Sequence, residues 1–494
     1  MKKNRIISLL LLAMLAATSC GGTGSGTNDN TSADTETSAG NTDAETTEAE
    51  YTFADIDCGG DNFTVLNATT TWGFYAYMDF ETQTGESLDD AVYERNRFVE
   101  DKYNMKLEII EDDIDKNYEK YRSSILAGDD TYDAAYIRCD RIASFISDGY
   151  LTNLLDNTGI QLDKPWWDQT VTQKSLVGDK KKLYFASNDF SLVGFDGTLC
   201  CYFNEDMLAD LGLDKPYDLV REGKWTIDRL KEYTSAAANL FPFSSHLNGD
   251  TSFKWDENGN AVYGLASYED CVNGFITGSG ENYITVDASG QPKLLADAEH
   301  FYNVIDKAFS IIGTEGEFLF NNGSGNSHYE MIFKNGRALF TIAEIKASSK
   351  YRDMTATFGI VPIPKYDEAQ DRYYSHRTHV CLTMSIPVTN ADPDRTGAIL
   401  DTFAYLSNRD ILPIYYNVKV AQKGLRNEDS IEMLGIISEG RGFDIGEGYG
   451  WTEDLSSKVN TMLVSTKKNN VASLVDANRS KIEESINKTL ELMK

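Results

Sequence analysis

The chain has 494 residues and a formal net charge of −31, from 77 acidic and 46 basic residues. So acidic a surface repels a phosphate polyanion, which excludes nucleic acid as an expected partner and makes solubility the simplest reason for the charge. The length corresponds to about two domains, and beyond the first twenty residues no apolar run is long enough to cross a membrane.

The N-terminus has the three parts of an export signal. Basic residues precede a short apolar run over residues 6–17, and small residues then lead to Cys20. We therefore predict a signal peptide over 1–19. A Cys at the cleavage point resembles the lipobox of bacterial lipoproteins, which implies that Cys20 carries palmitate-type acyl chains and anchors the protein on the outer face of the cytoplasmic membrane. An ordinary signal peptide with an incidental Cys20 is the alternative.

The next segment is polar and acidic. Residues 20–50 contain no aromatic and no basic residue, so they cannot bury enough apolar surface to offset the entropy of ordering. We predict a disordered acidic tether that follows the lipidated Cys, with a span of roughly 30 Å at random-coil statistics.

Strand and helix patterns alternate from residue 62 onward. The predicted strands are 62–66, 105–110 and 132–137, and the predicted helices are 88–102, 115–127 and 140–148. This order predicts a mostly parallel sheet with helices on both faces, which binds ligands at the carboxyl ends of its strands. The loops that follow the first and third strands are therefore candidate site loops.

The stretch LYFASNDFSLVGFDGTLCCYFN, residues 183–204, contains two strand-like runs around a Gly/Asp segment and is interpreted as a crossing between two lobes. A short helix ending in Gly-Leu follows, then a Pro and the motif GKWT, in which Thr226 is a candidate N-cap. This succession resembles the extracellular solute-binding proteins of ABC importers.

Three later motifs occur in the order of that family. FKNGRALF (333–340) resembles its F-x-x-G-K-A-A-M strand, FGIVPIPK (358–365) resembles its G-x-x-P-x-P strand, and MSIP (384–387) with a helix at 394–407 resembles its third crossing. The resemblance implies an α/β, two-lobe, type II periplasmic-binding-protein-like fold with three interlobe crossings. The implied boundaries are 51–197 and 338–384 for lobe 1, and 198–337 and 385–494 for lobe 2.

Catalytic signatures are absent: the sequence has no phosphate-binding loop, no H-E-x-x-H and no G-x-S-x-G. His376 and His379 are the only close histidines, and we interpret them as polar residues rather than as metal ligands. We expect no enzyme activity, no metal and no cofactor, although a glycosidase-like carboxylate pair stays open because its spacing is spatial. The cysteines other than Cys20 show no disulfide spacing, so buried free thiols are expected.

Aromatic residues in polar or Gly-rich loops are candidate ligand-binding side chains, because a sugar needs flat apolar faces beside hydroxyl-binding groups. The candidates are Trp72, Tyr75, Tyr77, Trp166, Trp167, Phe195, Trp255, Tyr283 and Trp451. A core position is the alternative for each, and the two adjacent tryptophans would then pack the linker against lobe 1.

Polar candidates follow from the same positions. They are Arg138 and Asp140 after the third strand, Asp189 and Asp196 in the crossing, Glu344 near the end of a returning strand, and Arg441 between two glycines. Arg441 could bind an anionic group through two hydrogen bonds. Ordinary ion pairs at the edge of a cleft are the alternative.

The resemblance implies a monomeric, extracytoplasmic solute-binding component of an ABC importer, which captures a small solute between two closing lobes and delivers it to permease subunits. The many loop aromatics favour an oligosaccharide. The alternatives are a peptide or another small solute, a surface carbohydrate-active enzyme, and a sensory or adhesive lipoprotein without a permease.

Overall fold

The structure, a computed structural model, describes residues 51–69, 74–178, 181–240, 262–295, 297–314, 316–320, 328–378, 381–417 and 428–493. The predictions on the signal peptide, Cys20, the tether, Trp72, Trp255 and His379 lie outside the described residues. From Phe53 onward the chain groups into one unit.

The strands of the described residues are β1 (Asn62–Ala68), β2 (Lys106–Asp112), β3 (Ala134–Arg138), β4 (Leu199–Asn204), β5 (Tyr263–Ser267), β6 (Ile284–Val286), β7 (Pro292–Leu294), β8 (Phe318–Phe320), β9 (Ala338–Glu344), β10 (Phe358–Val361), β11 (Ser375–His376), β12 (Leu382–Ser385) and β13 (Arg441–Gly442).

The α-helices are α1 (Ser87–Tyr103), α2 (Asn117–Ala127), α3 (Ile142–Ser147), α4 (Gln169–Lys174), α5 (Val193–Asp196), α6 (Glu205–Asp210), α7 (Tyr217–Arg221), α8 (Ile227–Leu240), α9 (Cys271–Gly278), α10 (Ala298–Ile312), α11 (His328–Lys334), α12 (Ser348–Tyr351), α13 (Pro393–Leu406), α14 (Leu412–Ile414), α15 (Glu428–Glu439), α16 (Ile445–Gly448), α17 (Glu453–Val464) and α18 (Val471–Leu492). Among the described helices, none combines the length and the apolar composition that a membrane crossing requires.

A four-stranded sheet contains the first strands in the order β12-β3-β1-β2. Strand β1 is parallel to both β2 and β3, and β12 is antiparallel to β3. This arrangement confirms the parallel α/β pattern predicted for the first part of the chain. The carboxyl ends of β1, β2 and β3 share one edge with the first residue of β12, because the antiparallel strand runs the other way.

A five-stranded sheet has the order β10-β4-β9-β5-β8. Strand β4 is antiparallel to β9 and β10, whereas β5 is parallel to β8 and β9. The carboxyl ends of β5, β8, β9 and β10 therefore lie at one edge, beside the start of β4. The chain passes between the sheets after β3, again between β10 and β12, and a third time between α13 and α15, which packs against β10.

Capping side chains mark the predicted helix starts. The backbone N–H of Arg229 donates to Thr226 Oγ1 over 3.3 Å at the start of α8. At α13, the Arg395 N–H donates to Asp392 Oδ1 over 3.1 Å, and a proline occupies the first turn. Each cap satisfies one backbone donor that the helix leaves unpaired. The N-cap at GKWT and the helix at 394–407 are thus confirmed to within a residue or so.

The motifs that resemble the solute-binding family meet in the core rather than at a surface. Trp225 of GKWT is fully buried and donates its Nε1–H to the Pro362 carbonyl over 3.0 Å. Its ring centre lies 5.7 Å from that of Phe340, at the end of the FKNGRALF motif. Three segments far apart in sequence therefore share one packing contact, which explains their residue types by burial.

The local structure differs from the sequence-based prediction at two places. Residues 183–187 form a single bridge, between Ala186 and Met384, and do not form a regular strand. Phe333 belongs to α11, so the following strand begins later, at Ala338. Both segments are rich in apolar residues over a short run, and such a run does not distinguish a strand from a buried turn of helix.

Strand pairing also differs from the expected lobe boundaries. Strands β9 and β10 lie within 338–384, yet both pair in the five-stranded sheet, together with β4. Helix α13 packs against α1, where Tyr103 Oη and Thr402 Oγ1 share a hydrogen bond of 2.7 Å. A sequence pattern predicts a strand or a helix, but its neighbours are chosen by residues distant in sequence. All six cysteines of the described part are buried and free, as expected.

Candidate functional site

Two sheet edges meet at the candidate site. Lys346 lies in a one-turn 3₁₀-helix directly after β9, and its Nζ is 3.2 Å from the centre of the Phe74 ring. Phe74 belongs to the loop between β1 and α1. The carboxyl edge of the five-stranded sheet therefore contacts the loop at the carboxyl edge of the four-stranded sheet, as a site between two lobes requires.

The edge of the five-stranded sheet presents an acid held by a tyrosine. Glu344, the last residue of β9, is 8% exposed and accepts a hydrogen bond of 3.0 Å from Tyr268 Oη. Tyr268 follows β5 directly and stacks on Tyr329, with ring centres 5.3 Å apart. Burial, with Glu344 nearby, raises the pKa of the Tyr268 hydroxyl, which therefore stays a neutral donor. Burial also lowers the pKa of Lys346, although Glu344 opposes this.

A row of aromatic rings runs from the surface to the crossing segment. Tyr75 is 44% exposed, and its ring centre is 5.7 Å from that of Tyr77. Tyr77 contacts Tyr415 at 6.1 Å, and Tyr415 contacts Phe195 at 6.1 Å. The φ of Tyr77 is 55°, in the left-handed region, and such strained residues cluster at ligand sites. The row joins three candidates from the sequence with Tyr415, which the sequence analysis missed.

The crossing segment contains two buried acids, of which Asp196 contacts this row. Tyr415 Oη donates to Asp196 Oδ1, and Asp196 is 2% exposed. Asp189 Oδ2 accepts a hydrogen bond of 2.7 Å from Asn408 Nδ2. Burial raises the pKa of Asp189 to about 7, a rise that Arg441 and the hydrogen bond from Asn408 oppose. This carboxyl therefore changes its charge near neutral pH.

Basic side chains lie beside the same segment. The Arg441 guanidinium stacks on Phe195, with its Cζ 3.7 Å from the ring centre. Arg377 Nη2 donates to Asp168 Oδ2 over 2.7 Å, and Arg441 Nη2 is 3.6 Å from the same oxygen. Burial opposes ionisation of Asp168, but the two guanidiniums outweigh it and lower the pKa of that carboxyl.

Arg138 and Asp140 form an ion pair at the carboxyl end of β3. Arg138 donates through Nε and Nη2 to the two oxygens of Asp140, over 3.0 and 2.7 Å, and through Nη1 to Asp115. These contacts match the alternative interpretation of Arg138 and Asp140, an ordinary ion pair at the edge of a cleft. The pair lies at the sheet edge where ligands bind in such folds.

Four aromatic candidates are packed against core residues. Trp166 and Trp167 both donate their Nε1–H to Asp401 Oδ1, over 2.9 and 2.7 Å. Tyr283 is 2% exposed and contacts a Phe ring of α10. Trp451 is 3% exposed, stacks on a neighbouring tyrosine and donates to a threonine of α18. None of these contacts joins the four to the aromatic row.

His376 is buried among polar neighbours. His376 Nδ1 is 3.2 Å from Thr277 Oγ1, and its Nε2 is 3.5 Å from Asp270 Oδ2. Over the described residues, no group of three or more His, Cys, Asp and Glu side chains is arranged to hold a metal ion.

A cavity of about 480 Å³ lies elsewhere in the described part of the chain, lined by residues that include Lys174, Thr277, Asn282, Ile284 and Ile445. None of the candidate residues lines it. The two sheet edges are the candidate site, because charged, hydroxyl and exposed aromatic groups converge there.

The sequence analysis missed Tyr268, Lys346 and Tyr415. Tyr268 and Lys346 each come one or two residues after a strand of the five-stranded sheet, so a search of all strand ends would have found them. Tyr415 follows α14 and is brought to Asp196 by the tertiary structure alone.

No protein-family model matches the chain, and no curated protein sequence matches it. Solved structures do match. The galacto-N-biose-/lacto-N-biose I-binding protein of an ABC transporter from Bifidobacterium longum, in complex with lacto-N-biose, is 12% identical with a TM-score of 0.57, covering 88% of this chain and 98% of that one. The maltose-binding periplasmic protein from Listeria monocytogenes, in complex with maltose, is 15% identical with a TM-score of 0.55, covering 87% and 99%.

The GacH receptor of Streptomyces glaucescens GLA.O, solved unliganded and with acarbose, is 15% identical with a TM-score of 0.52, covering 86% of this chain and 99% of that one. At such identities the likeness establishes the fold. The chain has the two-lobe α/β fold of these binding proteins, which confirms the fold class predicted from the sequence.

Proposed function

We propose that this chain, which shares the two-lobe fold of sugar-binding ABC-transporter proteins, is the extracytoplasmic solute-binding component of an ABC importer and that its solute is an oligosaccharide. One observation carries the proposal: the exposed Tyr75, the buried acids Asp196 and Glu344, and the Lys346–Phe74 contact lie where the two sheet edges meet.

The chemistry of this site suits a sugar. The exposed face of Tyr75 can cover the C–H surface of a pyranose ring, and an aromatic side chain buries about 150–250 Å² when it is covered. Asp196 and Glu344 each accept a hydrogen bond from a tyrosine hydroxyl, and the Glu344 carboxylate, which can accept several hydrogen bonds, can also accept sugar hydroxyls. Because the acids are held by neighbours, little side-chain entropy is lost on binding.

Binding and transport are linked through the two lobes. A solute that contacts both sheet edges binds the closed arrangement more tightly than the open one. Only this difference in affinity shifts the population of molecules from open to closed. The closed protein then presents both lobes to permease subunits. Tyr75 and Glu344 come from opposite edges, so one solute that touches both would meet this condition.

We assign the protein to the outer face of the cytoplasmic membrane, as a monomer held through a lipidated Cys20 and an acidic tether. The support is the export signal and the Cys at its cleavage point. We assign no catalytic role to the site. The three solved structures reported above are of binding proteins, and a carbohydrate-active enzyme is the rival that the experiment must separate.

The test is thermal unfolding of residues 51–494, without the lipid anchor, against mono- and oligosaccharides, peptides and amino acids, with product analysis of each mixture. A ligand at a hundredfold its dissociation constant adds about 2.7 kcal/mol, which raises the Tm by a few degrees. A shift with one glycan class, recovered intact, supports the proposal. A shift with peptides alone removes the sugar assignment, and cleavage of the glycan identifies an enzyme.

A further inference from the structure

We infer that the oligosaccharide bears a carboxylate, as a uronic acid residue does, and that the Arg441 guanidinium recognises it. This inference rests on the proposed function and names the substrate class of the same site.

The position of Arg441 is set by backbone pairing and by an aromatic ring. Arg441 lies on β13, opposite Ser375 of β11, and its side chain is 16% exposed. Its guanidinium stacks on Phe195, which packs against Tyr415 in the aromatic row. This contact with the ring holds the guanidinium in place without using its N–H donors.

Two N–H donors of the Arg441 guanidinium lack a hydrogen-bond partner in the described part of the chain. Within the described part of the chain, Arg441 Nε and Nη1 are buried and have no hydrogen-bond partner. Nη2 is 3.6 Å from Asp168 Oδ2, which is too long for a hydrogen bond. That oxygen accepts its short bond, of 2.7 Å, from Arg377. Arg441 therefore has donors to spare, and an unpaired buried donor is costly.

The charges around Arg441 point to an anion rather than to a neutral hydroxyl. The guanidiniums of Arg377 and Arg441 both form an ion pair with the same carboxylate, that of Asp168. The second nearby acid, Asp189, is bound to Asn408 and is kept partly neutral by burial. A sugar hydroxyl could accept from the unpaired N–H donors of Arg441. Because the hydroxyl is neutral, it would leave one of the two guanidinium charges without a counter-charge.

A carboxylate matches this guanidinium in both charge and shape. Its two oxygens lie in one plane and match the fork of a guanidinium, and such paired bonds are about twice as strong as neutral ones. The chain as a whole is strongly negative, so attraction of an acidic sugar must act at contact distance and not from afar.

The experiment compares matched glycans of equal length by titration calorimetry with residues 51–494. One pair is galacturonotriose and galactotriose, and the other is xylotetraose with and without a glucuronic acid branch. We expect at least one acidic member to bind about tenfold or more tightly than its neutral partner. In Arg441→Met the two members should bind alike, and Arg441→Lys should restore part of the preference, since an ammonium keeps the charge but not the fork.

Arg229→Met is the matched control, because Arg229 is paired with Glu232 on the exposed face of α8. It should bind both glycans as the unchanged protein does. Thermal unfolding without glycan checks that each variant is folded, and if Arg441→Met is not, the wild-type comparison and Arg441→Lys decide. If the neutral members bind as tightly as the acidic ones, the inference is overturned while the proposed function stands. If neither kind of glycan binds, the inference is overturned, and the proposed function is decided by the panel of solutes described above.

Discussion

The Nζ of Lys346 lies 3.2 Å from the centre of the Phe74 ring, so a residue that follows β9 of one sheet contacts the loop that follows β1 of the other. The contact is a cation–π interaction between the two carboxyl edges. It can form only when these edges are close together, so in the proposed function we expect it to mark the closed arrangement.

Removing this contact should favour the open arrangement. Lys346→Met loses an interaction of about 0.5–2 kcal/mol. We expect a larger radius of gyration without ligand, measured by small-angle X-ray scattering, and weaker glycan binding. Lys350→Met is the control, because Lys350 pairs with Glu330 on the same side of the fold and is half exposed. An unchanged radius in Lys346→Met would argue against the contact as a closing element.

Tyr75 should contribute to glycan affinity with little effect on stability. Its ring is 44% exposed, so Tyr75→Ala removes few core contacts. Loss of a stacking face should weaken glycan binding roughly tenfold, or about 1.4 kcal/mol, as measured by calorimetry. Phe98→Ala is the matched control, since Phe98 is 46% exposed on α1. Equal losses in both variants would place the sugar away from Tyr75.

The stability of the protein should depend on Asp189 between about pH 4 and pH 7. Burial raises the pKa of this carboxyl to about 7 in the folded state, so the folded protein binds the proton more tightly than the unfolded chain. The stabilising proton is fully present at low pH and is lost as the pH rises through the folded pKa.

Asp189→Asn removes the titration while its amide oxygen can still accept from Asn408. The variant should gain stability relative to the unchanged protein as the pH rises, by on the order of 1 kcal/mol per pH unit within the window. Urea unfolding across this range measures the difference. Asp163→Asn, at an 82% exposed carboxylate, should show no such trend. A constant difference for Asp189→Asn would contradict the buried titration.

The GKWT motif should matter for stability rather than for binding. Thr226→Ala removes the oxygen that accepts from the Arg229 N–H, and loss of an N-cap costs about 1 kcal/mol. Thr226→Ser keeps the oxygen and should stay close to the unchanged protein in urea unfolding. Calorimetry should show the same glycan affinity for all three proteins.

The cysteines should be unreactive in the folded protein. All six in the described part are buried and free, and burial raises the pKa of the Cys200 and Cys201 thiols. A thiol reagent should therefore label residues 51–494 only slowly under native conditions and should label six thiols in denaturant. Labelling of only four would reveal a disulfide, and Cys139 and Cys381 would be the first pair to examine, since the Cys139 N–H donates to the Cys381 carbonyl.

The sequence by itself determined the alternating order of strands and helices in the first part, the helix starts at Thr226 and near Asp392, and the fold class. These features rest on local periodicity, on caps within a few residues and on motifs whose order follows the chain. The candidates Tyr75, Phe195, Asp189, Asp196, Glu344 and Arg441 were also chosen from the sequence. Tyr75 follows a strand, Phe195, Asp189 and Asp196 lie in the crossing, Glu344 lies near a strand end, and Arg441 lies between two glycines.

Only the tertiary structure decided which side chains meet. Tyr268 reaches Glu344 across 76 residues of chain, and Tyr415 reaches Asp196 across 219. The pairing of β9 with β4 in the five-stranded sheet is also a contact between distant segments. So are the hydrogen bonds from Trp166 and Trp167 to Asp401. Such contacts depend on how distant segments pack, and a local pattern of residue types carries no information on the partner.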